Sequence, residues 1–382
     1  MIDYSVFLTY KLLLIGLPIL IIVFYYILFT IIASVRTSPP IKRQNTLKVS
    51  YLVPTYNEER TIRQKIESLR EIQPHQIIVV DSGSTDATPS ILSEYAKTQS
   101  IDYIQEEHRK GKATALNKAF SAAKGEIILI TDADAVVPIK SIQELLKNFA
   151  DENVGGVGGS VVEVKNTDLD AIDFASESFM RARETFRILE GNLDSIPFTE
   201  GSLVAFRQNL ISSIPSDTIS DDMELVLVVR EKGYRIVFEP KAIALGTVDP
   251  NFWTRMKRKI RHQIGSIQAI TRHKKMLFNT QYGYFGTIIM PFHAFRLLIQ
   301  PYLVVSSIIF AIIYLGELLK IFHAVPLYLW GGLFIGYLLV EGLMVLFKRY
   351  SILLAILHLI ILQGVTIVAH ILYHKKQKYI AW

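Results

Sequence analysis

Asp132 and Asp134 stand one residue apart at the end of an apolar run, Ile127 to Ile130, in the stretch IILITDADAVV. On an extended chain residues i and i+2 point the same way, so both carboxylates would address one spot. Two like charges that close raise each other's pKa unless a cation neutralises them. A hard divalent ion, Mg2+ or Mn2+, accepts such oxygens and usually shares them with substrate phosphates. A lone D-x-D is also an ordinary solvated turn, so its weight depends on what stands beside it. A second acidic group, Asp221, Asp222 and Glu224 in SDDMEL, heads a helical pattern. The helix macrodipole alone favours acids there. Three acids in four positions exceed what a cap needs, however, and one could act as general base for an acceptor hydroxyl. Two nucleotide-site patterns fail. GKAT at Gly111 to Thr114 lacks the glycine that a phosphate loop needs five residues earlier. NVGGVGGSVVEV, read as a glycine-rich loop leading into a strand, lacks the strand-turn-helix setting of a dinucleotide fingerprint.

The elements that must position these acids follow from periodicity. Val49 to Val53 is an apolar run that Pro54 should end, since proline cannot donate to a sheet ladder. An amphipathic helix follows at about Thr61 to Glu71, with Ile62, Ile66 and Leu69 on one face. Ile77 to Val80 is a second buried strand, followed by Asp81 and a Ser/Gly turn. DYIQEE is a third strand, GKATALNKAFSAAKG a helix closed by Gly125, and Ile127 to Ile130 a fourth strand. Alternating strands and helices predict βαβ units and a sheet buried on both faces. Ligands of such sheets bind at the carboxyl ends of the strands. The turns at Pro54 to Glu58, Asp81 to Asp86 and Asp132 to Asp134 all sit there.

The chain around this unit is apolar. Of 382 residues 50% are hydrophobic, and the mean hydropathy is +0.31. Leu12 to Val35 carries no charge, and its roughly 24 residues exceed the ~20 that cross a bilayer. Arg36, Lys42, Arg43 and Lys48 follow that run against Lys11 before it, which orients the following domain to the cytoplasm. Further spans are expected at about Pro301 to Leu319, Pro326 to Phe347 and Ile352 to Tyr373. Between them and the soluble domain, FWTRMKRKIRHQIGSIQAITRHKKM reads as a basic amphipathic helix lying in the interface, with Phe252, Trp253, Ile260, Ile264, Ile267 and Ile270 on its apolar side. Arg296, between Pro291 and Pro301, is a candidate partner for an acceptor phosphate. The expected organisation is an anchor at 1–36, a soluble domain at 48–250, interfacial helices at 251–300 and membrane helices at 301–382. Absence of cysteine excludes disulfides and thiolate metal sites. The net charge of +6 sits largely beside apolar segments, which suits a membrane surface, and no nucleic-acid motif is present.

VPTYNEE, VVDSGSTDAT, GKATALNKA, ILITDADAVV, TEGSLVAFR and SDDMELVLVVREKGYRI occur here in the order seen in family 2 glycosyltransferases. Over about residues 48 to 265 the sequence resembles the membrane-bound members, among them processive polysaccharide synthases and polyprenyl-phosphate sugar transferases. The resemblance implies an α/β GT-A fold, Rossmann-like with a mixed sheet, joined to an α-helical transmembrane region. It also implies a nucleotide-diphosphate sugar donor, a Mn2+ or Mg2+ ion, and transfer with inversion at the anomeric carbon. By position, Asp81 would contact the nucleoside, with Pro54, Tyr56 and Glu58 lining the same pocket. Lys112 would lie near the donor, and Asp132 and Asp134 would form the metal pair, Asp134 making the more direct contact. Asp222 would be the catalytic base, and Glu200, Gly201 and Ser202 the acceptor loop.

Two departures qualify the resemblance. Ser82 stands where many relatives have a second aspartate. Processive synthases carry Q-x-x-R-W near the membrane, whereas RKIRHQIG here supplies Arg258, Arg261 and His262 for the acceptor or diphosphate. The sequence therefore points to an integral plasma-membrane enzyme that moves a sugar, with a UDP-sugar the expected donor, to a lipid-linked or membrane-bound glycan. A processive synthase of an extracellular polysaccharide is the second reading, and a non-catalytic nucleotide-sugar-binding membrane scaffold the third.

Overall fold

The apolar runs VSYLVPT and QIIVVD have no polar alternation, so they are stable only where both faces of a sheet are covered. They form the interior of a seven-stranded sheet in the computed structural model, which describes residues 4–35, 37–44, 46–164, 184–247, 251–316 and 352–375. The strands are β1 (Val49–Thr55), β2 (Gln76–Asp81), β3 (Asp102–Gln105), β4 (Ile127–Ile130), β5 (Val154–Val164), β6 (Val204–Arg207) and β7 (Arg235–Thr247), in the order β3-β2-β1-β4-β6-β5-β7. β1 to β4 pair in parallel, β6 lies antiparallel between β4 and β5, and β7 runs parallel to β5. The strand passes through Pro54 to Thr55 rather than stopping at it, because the ladder with β4 has already ended at the Leu52–Ile130 pair.

The pleat divides the core. Tyr51 and Val53 face α2 (Ile62–Arg70), α3 (Thr88–Lys97) and α5 (Ile139–Lys147) through Ile62, Ile66, Leu92, Ile142 and Leu145. Leu52, Ile78 and Ile128 face α4 (Lys112–Ala122) and α7 (Asp221–Glu231) through Leu116, Phe120, Leu225 and Val229. Each such aliphatic side chain contributes about 1.5–3 kcal/mol by leaving water.

Two local expectations change. The glycine run at 155–159 lies within β5 itself and is not a loop. A Cβ on Gly156 would meet the Phe206 ring at 2.5 Å, and one on Gly159 the Ala242 carbonyl at 2.6 Å. Glycine is there for packing against β6 and β7. α4 ends at Ala122, before Gly125, whose N–H instead donates to Ser50 Oγ at 2.9 Å.

α1 (Tyr4–Val35) contains the 23-residue segment Leu13–Val35, long and apolar enough to cross a membrane. Its carboxyl half docks through Tyr25, Tyr26 and Phe29 onto Phe186 of a helix, α6, described over 184–193, and onto Phe292; the Phe29 and Phe292 rings stack at 4.1 Å. α8 (Phe252–Arg272) follows the sheet, then α9 (Met290–Leu298) and α10 (Gln300–Ile313), and finally α11 (Ile352–His374). The segments Phe285–Leu298 and Gln300–Ile313 form a pair bent by 41°. The expected span at Pro326 to Phe347 lies outside the described residues. The apolar stripe of α8, expected to face lipid, is covered by protein: Ile264, Ile267 and Ile270 are buried with Met223 and Leu227 of α7. Trp253 remains exposed.

Candidate active site

Parallel pairing brings the ends of β1, β2 and β4 to one edge of the sheet. Because β6 is antiparallel, its starting end lies there too, with Val204 opposite Ile130. The turn before β6, Glu200 to Leu203, is thereby set against the turn after β4. One edge thus gathers Asp81, Asp132, Asp134 and the 200–203 loop.

Around Asp81 the turns after β1 and β2 are tied to each other. Asp81 is buried, and its Oδ1 accepts from the Ser84 amide at 3.0 Å and the Ser84 hydroxyl at 2.5 Å. Asn57 adopts φ 55°, a region asparagine tolerates; its amide donates to Ser84 Oγ and its Oδ1 accepts from the Thr85 amide, both at 2.8 Å. The Tyr56 ring lies under the Arg109 guanidinium at 4.2 Å, an arrangement the sequence did not reveal because Arg109 belongs to a distant loop. Ser82 is fully buried and donates to the buried Glu106 carboxylate at 2.6 Å. Pro54 is buried within β1. Glu58 accepts from Thr61 Oγ1 at 2.7 Å. Its pKa is raised, first by burial and then by Asp134 and Asp132, so it belongs electrostatically with the carboxylate pair.

The centre of the site is a lysine between two acids. Lys112, the first residue of α4, lies 2.9 Å from Asp132 and 3.2 Å from Asp221. Ser202 Oγ donates to the other Asp132 oxygen at 2.7 Å. A Cβ on Gly201 would come within 3.1 Å of Lys112 Nζ, so a side chain here would crowd this cluster. Burial opposes the charge on Asp132, but Lys112 and Ser202 outweigh it and hold the carboxyl below its ordinary range. Burial and the neighbouring Asp222 and Asp132 push Asp221 up, against Lys112. Asp221 is thus the second partner of Lys112, a role that the sequence, reading the acids as a group, did not assign.

β4 ends at Ile130, so Asp132 and Asp134 occupy a turn rather than a strand, closed by the Ala135 amide on the Asp132 carbonyl at 3.3 Å. Asp132 turns inward and Asp134 is exposed. Beneath them lies Lys65 of α2, which sequence reasoning missed; it shares the buried face of Ile62, Ile66 and Leu69, and a charge on that stripe was the available signal. Burial lowers its pKa to about 8 against the pull of the two aspartates.

Asp222 sits in the first turn of α7. Its Oδ1 accepts from Ser220 Oγ at 2.5 Å and from the Met223 amide at 3.2 Å. The Thr199 hydroxyl donates to its backbone carbonyl, tying the 200–203 loop to α7. Glu200 is held by the buried Arg187 of α6 at 3.0 Å. α8 closes this side. Gly265 approaches so tightly that a Cβ would meet Ser220 Cβ at 2.5 Å. Arg258, Arg261 and His262 lie seven, four and three residues earlier, on the same helical face. Burial lowers the pKa of Arg261, opposed by Asp221 and Asp222. Desolvation likewise lowers His262, opposed by Asp222. Arg296 is occupied elsewhere, stacked over Tyr26 and Phe292 at 5.9 and 5.6 Å.

The donor set suits a hard divalent cation. Among the described residues no group of three or more acidic, histidine or cysteine side chains could hold a metal. Mg2+-type ions, however, commonly use one or two carboxylates and take their remaining oxygens from phosphate and water. Exposed Asp134 beside inward-facing Asp132 fits that description.

Residues 50–214 match the model of the family described as glycosyl transferase family 2. Poly-beta-1,6-N-acetyl-D-glucosamine synthase of Staphylococcus aureus is 22% identical over 261 residues, covering 65% of this chain and 62% of its own length. The protein of that name from Staphylococcus epidermidis is 24% identical over 245 residues, 60% of this chain and 57% of its own. The chain therefore spans about three fifths of these relatives. In fold it is similar to the mannosyltransferase PcManGT from Pyrobaculum calidifontis, solved with GDP-Man and Mn2+, with a TM-score of 0.72 over 97% of this chain and 99% of that one at 23% identity. The matched segment runs from β1 past β6 and contains the strand-end turns that build the cleft, and by these findings the chain carries a glycosyl transferase family 2 domain.

Proposed function

We propose that the chain is a membrane-embedded inverting glycosyltransferase, passing a sugar from a nucleotide-diphosphate sugar to a lipid-linked or membrane-bound glycan acceptor from the cytoplasmic side. The observation that carries this reading is the Asp132–Lys112–Asp221 cluster with Asp222 beside it. Asp81 and the 56–58 turn receive the nucleoside. Lys112 has its charge where a diphosphate would be drawn in, and it can exchange a carboxylate for a phosphate oxygen. A divalent ion held by Asp134 and Asp132 would stabilise the negative charge developing on the leaving diphosphate. Asp222 takes the proton of the acceptor hydroxyl as that oxygen attacks the anomeric carbon opposite the leaving group. Ser220 and the Met223 amide hold its Oδ1, leaving Oδ2 as the proton acceptor. Arg258, Arg261 and His262 flank this side for an anionic acceptor head group or the diphosphate.

A UDP-sugar is the expected donor; a GDP-sugar is the alternative, supported by the complex in which the structural neighbour was solved. The similarity to poly-beta-1,6-N-acetyl-D-glucosamine synthases favours processive polymer synthesis as the second reading. The test is incubation of the purified full chain with Mn2+, a panel of UDP- and GDP-sugars, and membrane lipid extract. Transfer of one sugar to a lipid product is expected, and a ladder of products would favour the second reading. Neither transfer nor slow donor hydrolysis with any donor would leave only a nucleotide-sugar-binding scaffold.

A further inference from the structure

Lys65 is 3% exposed, yet its ammonium makes its hydrogen bonds to neutral partners. It donates to Thr131 Oγ1 and to the Ala135 carbonyl, each at 2.6 Å. These two acceptors bracket the turn that holds Asp132 and Asp134. Within the turn the Thr131 amide donates to the Leu52 carbonyl at 3.1 Å and the Ala135 amide closes on the Asp132 carbonyl; Lys112 and Ser202 hold the Asp132 carboxylate from the cleft side, and Val136 pairs with Leu245 just beyond.

A buried ammonium costs several kcal/mol unless charge or strong hydrogen bonding compensates it. A methionine would fill the same space among Ile62, Ile66 and Leu69 without that cost. What the ammonium adds is a clamp across the turn and a positive charge beneath two close carboxylates. The clamp fixes the separation of the turn's two ends, the backbone frame from which Asp134 projects and on which Lys112 and Ser202 orient Asp132. The charge offsets their mutual repulsion when no external cation is present.

We propose that Lys65 is the positioning residue of the carboxylate turn, preorganising Asp132 and Asp134 for a divalent cation shared with a nucleoside diphosphate. The proposal rests on the function proposed above and adds to it a residue outside the cleft. Lys65 touches neither substrate nor metal; it acts through Thr131 and the backbone of Ala135.

The test is Mn2+ binding to the full chain in detergent, read by electron paramagnetic resonance with UDP and, separately, GDP present. Lys65→Met should weaken Mn2+ binding about ten- to a hundredfold, the usual effect of losing a group that orients metal ligands from behind. Leu69→Ala, on the same helix face, should lower thermal stability but leave Mn2+ affinity as in the wild type. Thr131→Val should weaken binding and Thr131→Ser should retain it, which keeps the proposal testable if Lys65→Met does not fold. Wild-type affinity in Lys65→Met, or equal losses in Lys65→Met and Leu69→Ala, would overturn the proposal alone. Where Lys65→Met yields no folded protein, equal affinities in Thr131→Val and Thr131→Ser would do the same. No Mn2+ binding by the wild type would overturn the metal-dependent reading of the site and this proposal with it.

Discussion

The proposed nucleoside end and the proposed acceptor end of the cleft are built on different plans. At the proposed nucleoside end each group lies within a few residues of a parallel strand end, and the turns after β1 and β2 tie one another, Asp81 to Ser84 and Asn57 to Thr85. At the proposed acceptor end the groups come from α6, the 200–203 loop, α7 and α8, and these elements are joined by contacts between helices and loop such as Arg187 with Glu200. Sheet register therefore sets the first, and helix packing sets the second. Lys112 joins the two, with Asp132 on one side and Asp221 on the other. Substitutions should divide along this line, those at the acceptor end changing turnover and those at the nucleoside end changing donor binding.

Asp222→Asn breaks the acceptor end with the largest expected effect. Loss of a general base costs about a hundred- to ten-thousandfold in rate, while UDP or GDP binding measured by calorimetry should be unchanged. Unchanged turnover would remove Asp222 as the base. Asp134→Ala, or chelation by EDTA, is the matching break at the donor end. Several kcal/mol of charge stabilisation would be lost, about a hundredfold or more in turnover. Here donor affinity should fall as well, and excess Mn2+ should restore the chelated enzyme but not the variant.

Gly265→Ala sharpens the comparison. The added methyl would lie 2.5 Å from Ser220 Cβ, so α8 or the start of α7 must move. Overpacking of this kind costs about 1–3 kcal/mol. The melting temperature should fall, and kcat should fall with little change in the donor KM, because the displaced residues are Ser220, Asp222, Arg261 and His262. A raised donor KM with normal kcat would mean that α8 serves the diphosphate rather than the acceptor.

The same division governs what was legible in the sequence. Apolar runs ending in polar turns identify parallel strands, and parallel strands bring their ends together, so Asp81 and Asp132 could be assigned to one edge without coordinates. Strand direction is not written in FTEGSLVAFR; only the pairing of β6 with β4 shows that its first residues reach the same edge. The glycines of β5 resembled a loop because their reason is the bulk of Phe206, Leu203 and Thr199 across the pairing. The apolar stripe of α8 was legible as a stripe, but periodicity does not say whether lipid or α7 covers it. Lys65 was hidden for a related reason, since a lysine on a helix is ordinarily solvated and its acceptors lie more than sixty residues on.

The junction of α7 and α8 gives the smallest expected effect, and it is a matter of pH. His273, just after α8, is buried between Glu231, 2.7 Å from Nδ1, and Glu224, 3.1 Å from Nε2. Arg272 also reaches Glu224, at 2.9 Å, and Lys275 reaches Glu231 at 3.1 Å. Burial alone would lower the pKa of His273, but its bonds to Glu224 and Glu231 outweigh that and raise it above the ordinary value. A folded-state pKa raised above the unfolded one, about 6.5 for histidine, contributes stability that is complete below that value. The contribution is lost as pH rises through the folded pKa. The depressed Glu231 acts in the opposite, acidic window, where its contribution is lost only as pH falls through its lowered value. Above pH 6.5 the melting temperature should therefore decline with rising pH by this histidine's contribution, and His273→Gln should remove that part of the slope. Since this junction carries α8 onto the helix that bears Asp222, turnover should decline over the same range while UDP or GDP binding does not. A parallel loss of nucleotide binding would show that the two ends of the cleft are not independent, and with that the division drawn between them would fail.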